Sequence, residues 1–167
     1  MTAAFTACNN EENLQTMDNN TPMSVKVTNQ THSRALVETT TLPDASQIGV
    51  TLVDNAGTTY DGITYNNLLY TLSGTEWTTA NTPMLTDVTG KAVAYYPYSN
   101  AVTDVTAIPV TFDAQTDYLY SGWVTKLDKE KAEANFQMNH ALAVVKLVLK
   151  KSAEYAAAVS VKDVNIQ

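Results

Sequence analysis

From residue 22 onward, short runs of alternating polar and apolar positions are broken at close spacing by turn-forming groups, the period-two signature of half-buried strands. Ser24-Val25-Lys26-Val27-Thr28 alternates cleanly and predicts a short amphipathic strand, followed by a polar stretch over 29–33. Residues 48–53 read as the next strand, closed by the turn Asp54-Asn55-Ala56-Gly57. Tyr60-Asp61-Gly62-Ile63 carries the Asp-Gly pair of a bend or hairpin. Further strands are expected over 68–72, 93–98, 108–112, 118–120 and 133–138. Pro97 and Pro109 lack an amide proton, so their strands should end there or lie on an edge. Residues 141–149 are the most apolar stretch, with Ala143, Val145, Leu147 and Leu149 on one face, and predict a central core strand. Residues 159–166 alternate again.

Helical signal is poor. Residues 128–134 and 152–158 have helix-forming composition but are too short to stand alone, and predict a loop and one helical turn. Composition strengthens the β reading, because 25 of the 167 residues are Thr, whose branched side chain suits a pleated, half-wetted surface. A chain of this length builds its own core without disulfides or metals. The expected class is all-β, an antiparallel sandwich or barrel.

Charge narrows the functional classes. Nine Lys and one Arg face seventeen acids, and a net charge of −7 argues against neutralising nucleic-acid phosphates. Residues 1–125 carry three bases and twelve acids, whereas 126–167 carry seven bases and five acids, a hint of complementary ends. No run approaches the ~20 apolar residues of a membrane-spanning helix.

Chemistry-bearing constellations are scarce. His32 and His140 sit in no ligand spacing, and a lone His beside an apolar strand reads as a satisfied structural residue. There is no Gly-x-Ser-x-Gly elbow and no Gly-rich phosphate loop. The acids lie singly in turns, and the Asp54 turn lacks the ligand spacing of a calcium loop. No enzyme, cofactor or metal is expected. Nine Tyr with Trp77 and Trp123 are read as core and rim residues, with a sugar-stacking platform as the alternative.

Two single residues stand out. Phe5-Thr6-Ala7-Cys8 resembles the cleavage box of a bacterial lipoprotein signal, and a polar run over 9–21 follows it like a tether. Only seven residues precede Cys8, without a basic start or a 7–15-residue apolar stretch, so the expectation is a truncated signal; the alternative is a chance Cys. Arg34, the one arginine, lies between the polar 29–33 run and Ala35-Leu36-Val37, where a trypsin-like protease would cut an exposed connector. The alternative is an ordinary surface Arg.

Seven stretches together resemble the fimbrillin family of surface pilins and related lipoproteins from gut and oral Gram-negative anaerobes. They are Ser33-Arg34-Ala35, Gln47-Ile48-Gly49-Val50, Tyr65-Asn66-Asn67 to Tyr70, Glu76-Trp77, Ala94-Tyr95-Tyr96-Pro97-Tyr98, Asp117-Tyr118-Leu119-Tyr120-Ser121 and Met138-Asn139-His140-Ala141-Leu142-Ala143. Their order and spacing are those of the family's N-terminal half, over 33–150. The resemblance implies a transthyretin-like β-sandwich of about seven strands. It also implies a lipid anchor at Cys8, cleavage by an arginine-specific protease between Arg34 and Ala35, and release of the strand over 24–28. The vacated groove would be filled by a strand from another pilin subunit. The organisation implied is a truncated lipoprotein signal and tether over 1–21, a removable strand and connector over 22–33, and the N-terminal sandwich over 34–167, with a second sandwich missing. The implied partners are other pilin subunits through strand exchange, outer-membrane lipid through Cys8, and host or bacterial surface ligands, but no nucleic acid. The leading function is a structural or adhesive fimbrial subunit at the outer membrane and cell surface. A lipid-anchored surface lipoprotein, acting as pilus anchor, tip adhesin or glycan-binding module, is the alternative.

Overall fold

The computed structural model describes residues 19–29, 42–111, 116–142 and 150. These residues form ten strands and no helix. The strands are β1 (Thr21–Pro22), β2 (Ser24–Asn29), β3 (Gln47–Asp54), β4 (Tyr65–Ser73), β5 (Glu76–Thr78), β6 (Met84–Leu85), β7 (Gly90–Tyr96), β8 (Leu119–Ser121), β9 (Val124–Leu127) and β10 (Glu133–His140). The main sheet runs β2-β10-β8-β7-β3-β4-β5, with β9 also paired to β7, while β1 and β6 form a small separate ladder. Every pairing is antiparallel except that of β2 with β10. The last strand, β5, comes back alongside the first, β2, so the sheet curls into a nearly closed, sandwich-like barrel. The fold is all-β, as the period-two pattern indicates.

The core follows from that pattern. Ile48, Val50 and Leu52 of β3 alternate along one face and are 0% exposed, as are Ala134, Phe136 and Met138 of β10. Gly49 sits between them on the opposite face of β3, where a Cβ would collide with the ring of Tyr95 and stand 2.7 Å from Asn67 Oδ1. Glycine is required because the neighbouring strand lays an aromatic ring directly on the backbone. The Tyr95 hydroxyl lies 2.7 Å from Asn67 Oδ1 and accepts the Ser99 N–H at 3.2 Å, tying β7 to β4 and the loop after it.

Turn chemistry sets the connections. Asp61 and Gly62 have φ of 47° and 76°, and Tyr60 and Ile63 exchange backbone hydrogen bonds of 3.0 and 2.8 Å, the geometry of a two-residue I′ hairpin. The Asp54 carboxylate accepts both the N–H and the hydroxyl of Thr58 at 2.8 Å, closing the expected turn after β3. Those donors, above all the Thr58 amide, hold its pKa below the ordinary carboxylate range. β3 carries a register shift between Val50 and Leu52 opposite β4. There Thr51 Oγ1 accepts the Asn67 N–H at 2.9 Å and donates to Asn66 Oδ1 at 3.0 Å, so a side chain takes up the pairing that the ladder loses.

Some expectations need correction. Residues 108–111 of the expected 108–112 strand are not in a strand: Pro109 removes a ladder donor, and the neighbouring edges pair among themselves. Residues 128–131, expected as part of a loop, form a tight turn in which the Asp128 side chain accepts the Glu130 and Lys131 amides at 3.0 Å. β7 stops at Tyr96, immediately before Pro97, as expected. Ala141 and Leu142 form a bend; the rest of the expected 141–149 core strand, and the expected elements over 152–158 and 159–166, lie outside the described residues.

Candidate functional site

The feature of the fold that sets one strand apart is the seam where β2 meets β10. The two strands run parallel, with Ser24 opposite Glu133 and each following residue in step to Asn29 opposite Met138. Alternation along both strands puts Val25 beside Ala134 and Val27 beside Phe136 on the inner face. Met23 and Val25 are 3% and 8% exposed, and Val27 packs partly against the same cluster. Burial of two such side chains is worth about 1.5–3 kcal/mol each. On the outer face Lys26 reaches Glu133 at 2.9 Å; both side chains are about half or more in water, so the pair guides register more than it stabilises, at ~0–1 kcal/mol.

The approach to β2 is anchored at two further points. β1 pairs antiparallel with β6, Thr21 opposite Leu85 and Pro22 opposite Met84. Met23 N–H then donates to Pro83 O, and Ser24 N–H to Ala132 O, each at 2.9 Å. Residues 21–29 thus form an N-terminal arm that bridges β6 and β10 and, among the described residues, has one ladder partner for each of its strands. Without the arm, β10 would present the unpaired edge of residues 133–138 beside two vacated apolar positions. That is the arrangement that takes an added strand.

Residues 33–167 match the fimbrillin-like family. The chain belongs to this family. Solved structures share the fold. One is a proposed cell adhesion protein from Bacteroides uniformis ATCC 8492, 21% identical, with a TM-score of 0.51, covering 74% of this chain and 49% of the other. A second, a proposed cell adhesion protein from Bacteroides ovatus ATCC 8483, is 18% identical with a TM-score of 0.52 over 72% of this chain and 52% of its own. A third, a fimbrial protein from Bacteroides ovatus ATCC 8483, is 22% identical with a TM-score of 0.52 over 74% of this chain and 29% of its own. The chain therefore spans about half, or less, of the length of these proteins. No curated protein matches it.

For a fimbrillin-like chain the residues of interest fall unevenly. Cys8, Arg34 and Ala35 lie outside the described residues. His140, at the end of β10, has Nδ1 2.7 Å from Asp117 Oδ1, which fits the satisfied structural role expected of it. Tyr60, Tyr65, Tyr70 and Tyr95 are core residues and Trp77 packs against them, again as expected. Trp123 is on the rim, 41% exposed. No group of three or more potential metal-ligating side chains occurs among the described residues.

The parallel register of β2 on β10 and the β1–β6 anchor escaped sequence reasoning. The alternation of residues 24–28 and 133–138 marks both strands, but nothing in either run tells which neighbour it takes. Pairing between segments more than a hundred residues apart is set by the whole sheet.

Proposed function

We propose that this chain supplies a structural and adhesive subunit of cell-surface fimbriae, joined to its neighbours by donor-strand exchange. In this reading Cys8 carries the lipid that brings the precursor to the outer membrane. An arginine-specific protease then cuts between Arg34 and Ala35. The cut severs the arm from the barrel, and the arm leaves. A strand of another subunit enters beside β10 and restores the ladder over 133–138 together with the apolar contacts of Met23 and Val25.

The observation that supports this reading most is the parallel β2–β10 seam: a strand held along one edge, with Arg34 downstream of it in the sequence. Strand addition needs no nucleotide or catalytic group. Each backbone hydrogen bond regained contributes about 0.5–1.5 kcal/mol, and the refilled apolar positions add to it, so the joint should dissociate slowly. The test is Arg34→Ala in the full precursor, with unboiled gels of surface material. Loss of the polymer ladder is expected; an undiminished ladder would overturn the processing step.

A second reading is favoured by one observation, the depth at which the arm is seated, with Met23 and Val25 buried and β1 clamped on β6. Here the chain keeps its arm and its lipid and acts as an anchor or tip lipoprotein. Mass spectrometry of the mature N-terminus separates the two: an intact, acylated Cys8 supports this reading, and an N-terminus at Ala35 the first.

A further inference from the structure

A cleft of about 550 Å³ opens on the outer face of the barrel, away from the β2–β10 seam, where β3, β4, β7, the loop over 103–106 and Trp123 meet. Its volume falls in the range of small-ligand sites, roughly 300–1,000 Å³. Its lining sets threonines from four separate segments and Asn66 beside apolar surface that includes Leu52, Val53 and Val105, and one large aromatic surface stands in its wall. We propose that this cleft binds a neutral pyranose, the terminal or penultimate sugar of a surface glycan, stacked on Trp123.

The indole supplies the first half of the argument. Trp123 is 41% exposed, whereas Tyr60, Tyr65, Tyr70 and Tyr95 are buried, so part of its ring is open to a ligand. Lys91 Nζ donates to the Asn55 carbonyl at 3.1 Å and stands over the indole, 5.2 Å from its centroid, a cation–π contact that holds the ring in place on that side. A pyranose has one face lined by C–H bonds carrying partial positive charge. That face suits the negative π-cloud of an indole as a cation does, while the edge of the sugar remains polar.

The polar groups supply the second half. A sugar hydroxyl both donates and accepts, so its site needs fixed acceptors and donors side by side. The Asp104 carboxylate is held through Oδ1 by the Thr106 amide at 2.8 Å and hydroxyl at 2.6 Å, and Oδ2 has no hydrogen bond among the described residues. Asn66 is held from both ends, accepting from Thr51 Oγ1 at 3.0 Å and donating to Thr103 O at 3.1 Å. Thr64 adds a hydroxyl and a methyl. Because Lys91, Asp104 and Asn66 are each tied by contacts of their own, a ligand meets an ordered surface and loses less affinity to side-chain ordering. One cation and one anion in the lining, with uncharged groups around them, favour a neutral sugar over an acidic one. The inference rests on the described residues alone and stands whether or not strands are exchanged.

The test is titration of the full chain with methyl glycosides of glucose, galactose, mannose and N-acetylglucosamine and with lactose, maltose and cellobiose. Binding is followed by tryptophan fluorescence and by protein-observed NMR. At least one glycoside is expected to bind in the millimolar range and to shift the Trp123 indole resonance. Trp123→Ala should weaken it by ~tenfold or more, about 1.4 kcal/mol, and Asp104→Asn should weaken it too. Trp77→Phe should leave it unchanged, and thermal melts of each variant separate lost binding from lost folding. Absence of binding by every glycoside, unchanged affinity in a folded Trp123→Ala variant, or a response to glucuronic acid alone would overturn the proposal.

Discussion

β3 and β2 are both short alternating strands, yet the barrel holds them differently. β3 has antiparallel partners on both edges, β4 and β7, and Ile48 through Leu52 are all buried. β2 has one ladder partner among the described residues, in parallel register, and only Val25 of its six residues is buried within the strand. The lesson concerns local stability rather than strand propensity. A strand paired on two sides opens only with the whole sheet, whereas one paired on a single side can open alone, at a free energy well below the global value. On the proposed reading an exchanged strand belongs in the second class, and β10 is where the two classes meet.

The largest effect on this contrast is expected from Phe136→Ala. Its side chain is 0% exposed in β10 and serves both the permanent core and the inner face of the seam, so urea denaturation should show a loss of about 3–5 kcal/mol. Gly49→Ala comes next. The added methyl meets the Tyr95 ring and Asn67 Oδ1, and overpacking of this kind costs about 1–3 kcal/mol. This loss should spread through β3, β4 and β7 in hydrogen exchange and leave β2 no looser than its neighbours.

Val25→Ala should cost about 1 kcal/mol globally but act locally. Faster exchange of the amides in 24–29 and 133–138, with β3 unchanged, is the expected pattern; uniform acceleration would mean that the arm is as integral as β3. The smallest effect is on the acid side. Thr58 donors lower the Asp54 pKa in the folded protein below its ordinary value of 3.8, so the turn's contribution is present above that value. It is lost as pH falls through the folded value, because the unfolded chain then binds the extra proton first. Asp54→Asn should flatten this part of the stability profile in acid melts, and leave the exchange of β2 untouched.

Much of the barrel could be read before folding. Alternation marked β2 and β10, an apolar run marked β3, Asp61-Gly62 marked the hairpin, and Pro97 marked the end of β7, because each is a local steric or solvation rule. β9 was invisible for a physical reason: Lys126 has φ of 62° and lies at an irregularity in the β7 pairing, so Val124-Thr125-Lys126-Leu127 does not alternate as a strand should. β5, three residues around Trp77, is too short to show a period. The Trp123 cleft was readable only as a spare aromatic, since its walls come from 51–66, 91, 103–106 and 123 and converge only in the folded sheet. The seam lay between these extremes, its strands evident and their partnership not.

Cleavage of the purified full chain with an arginine-specific protease, followed by native mass spectrometry with an isotope-labelled peptide of residues 21–29, tests the exchangeable strand most directly. The account predicts that the cut chain gives up its own arm and takes one labelled peptide per barrel, while the uncut chain takes none. A cut chain that keeps its arm and ignores the peptide would contradict it.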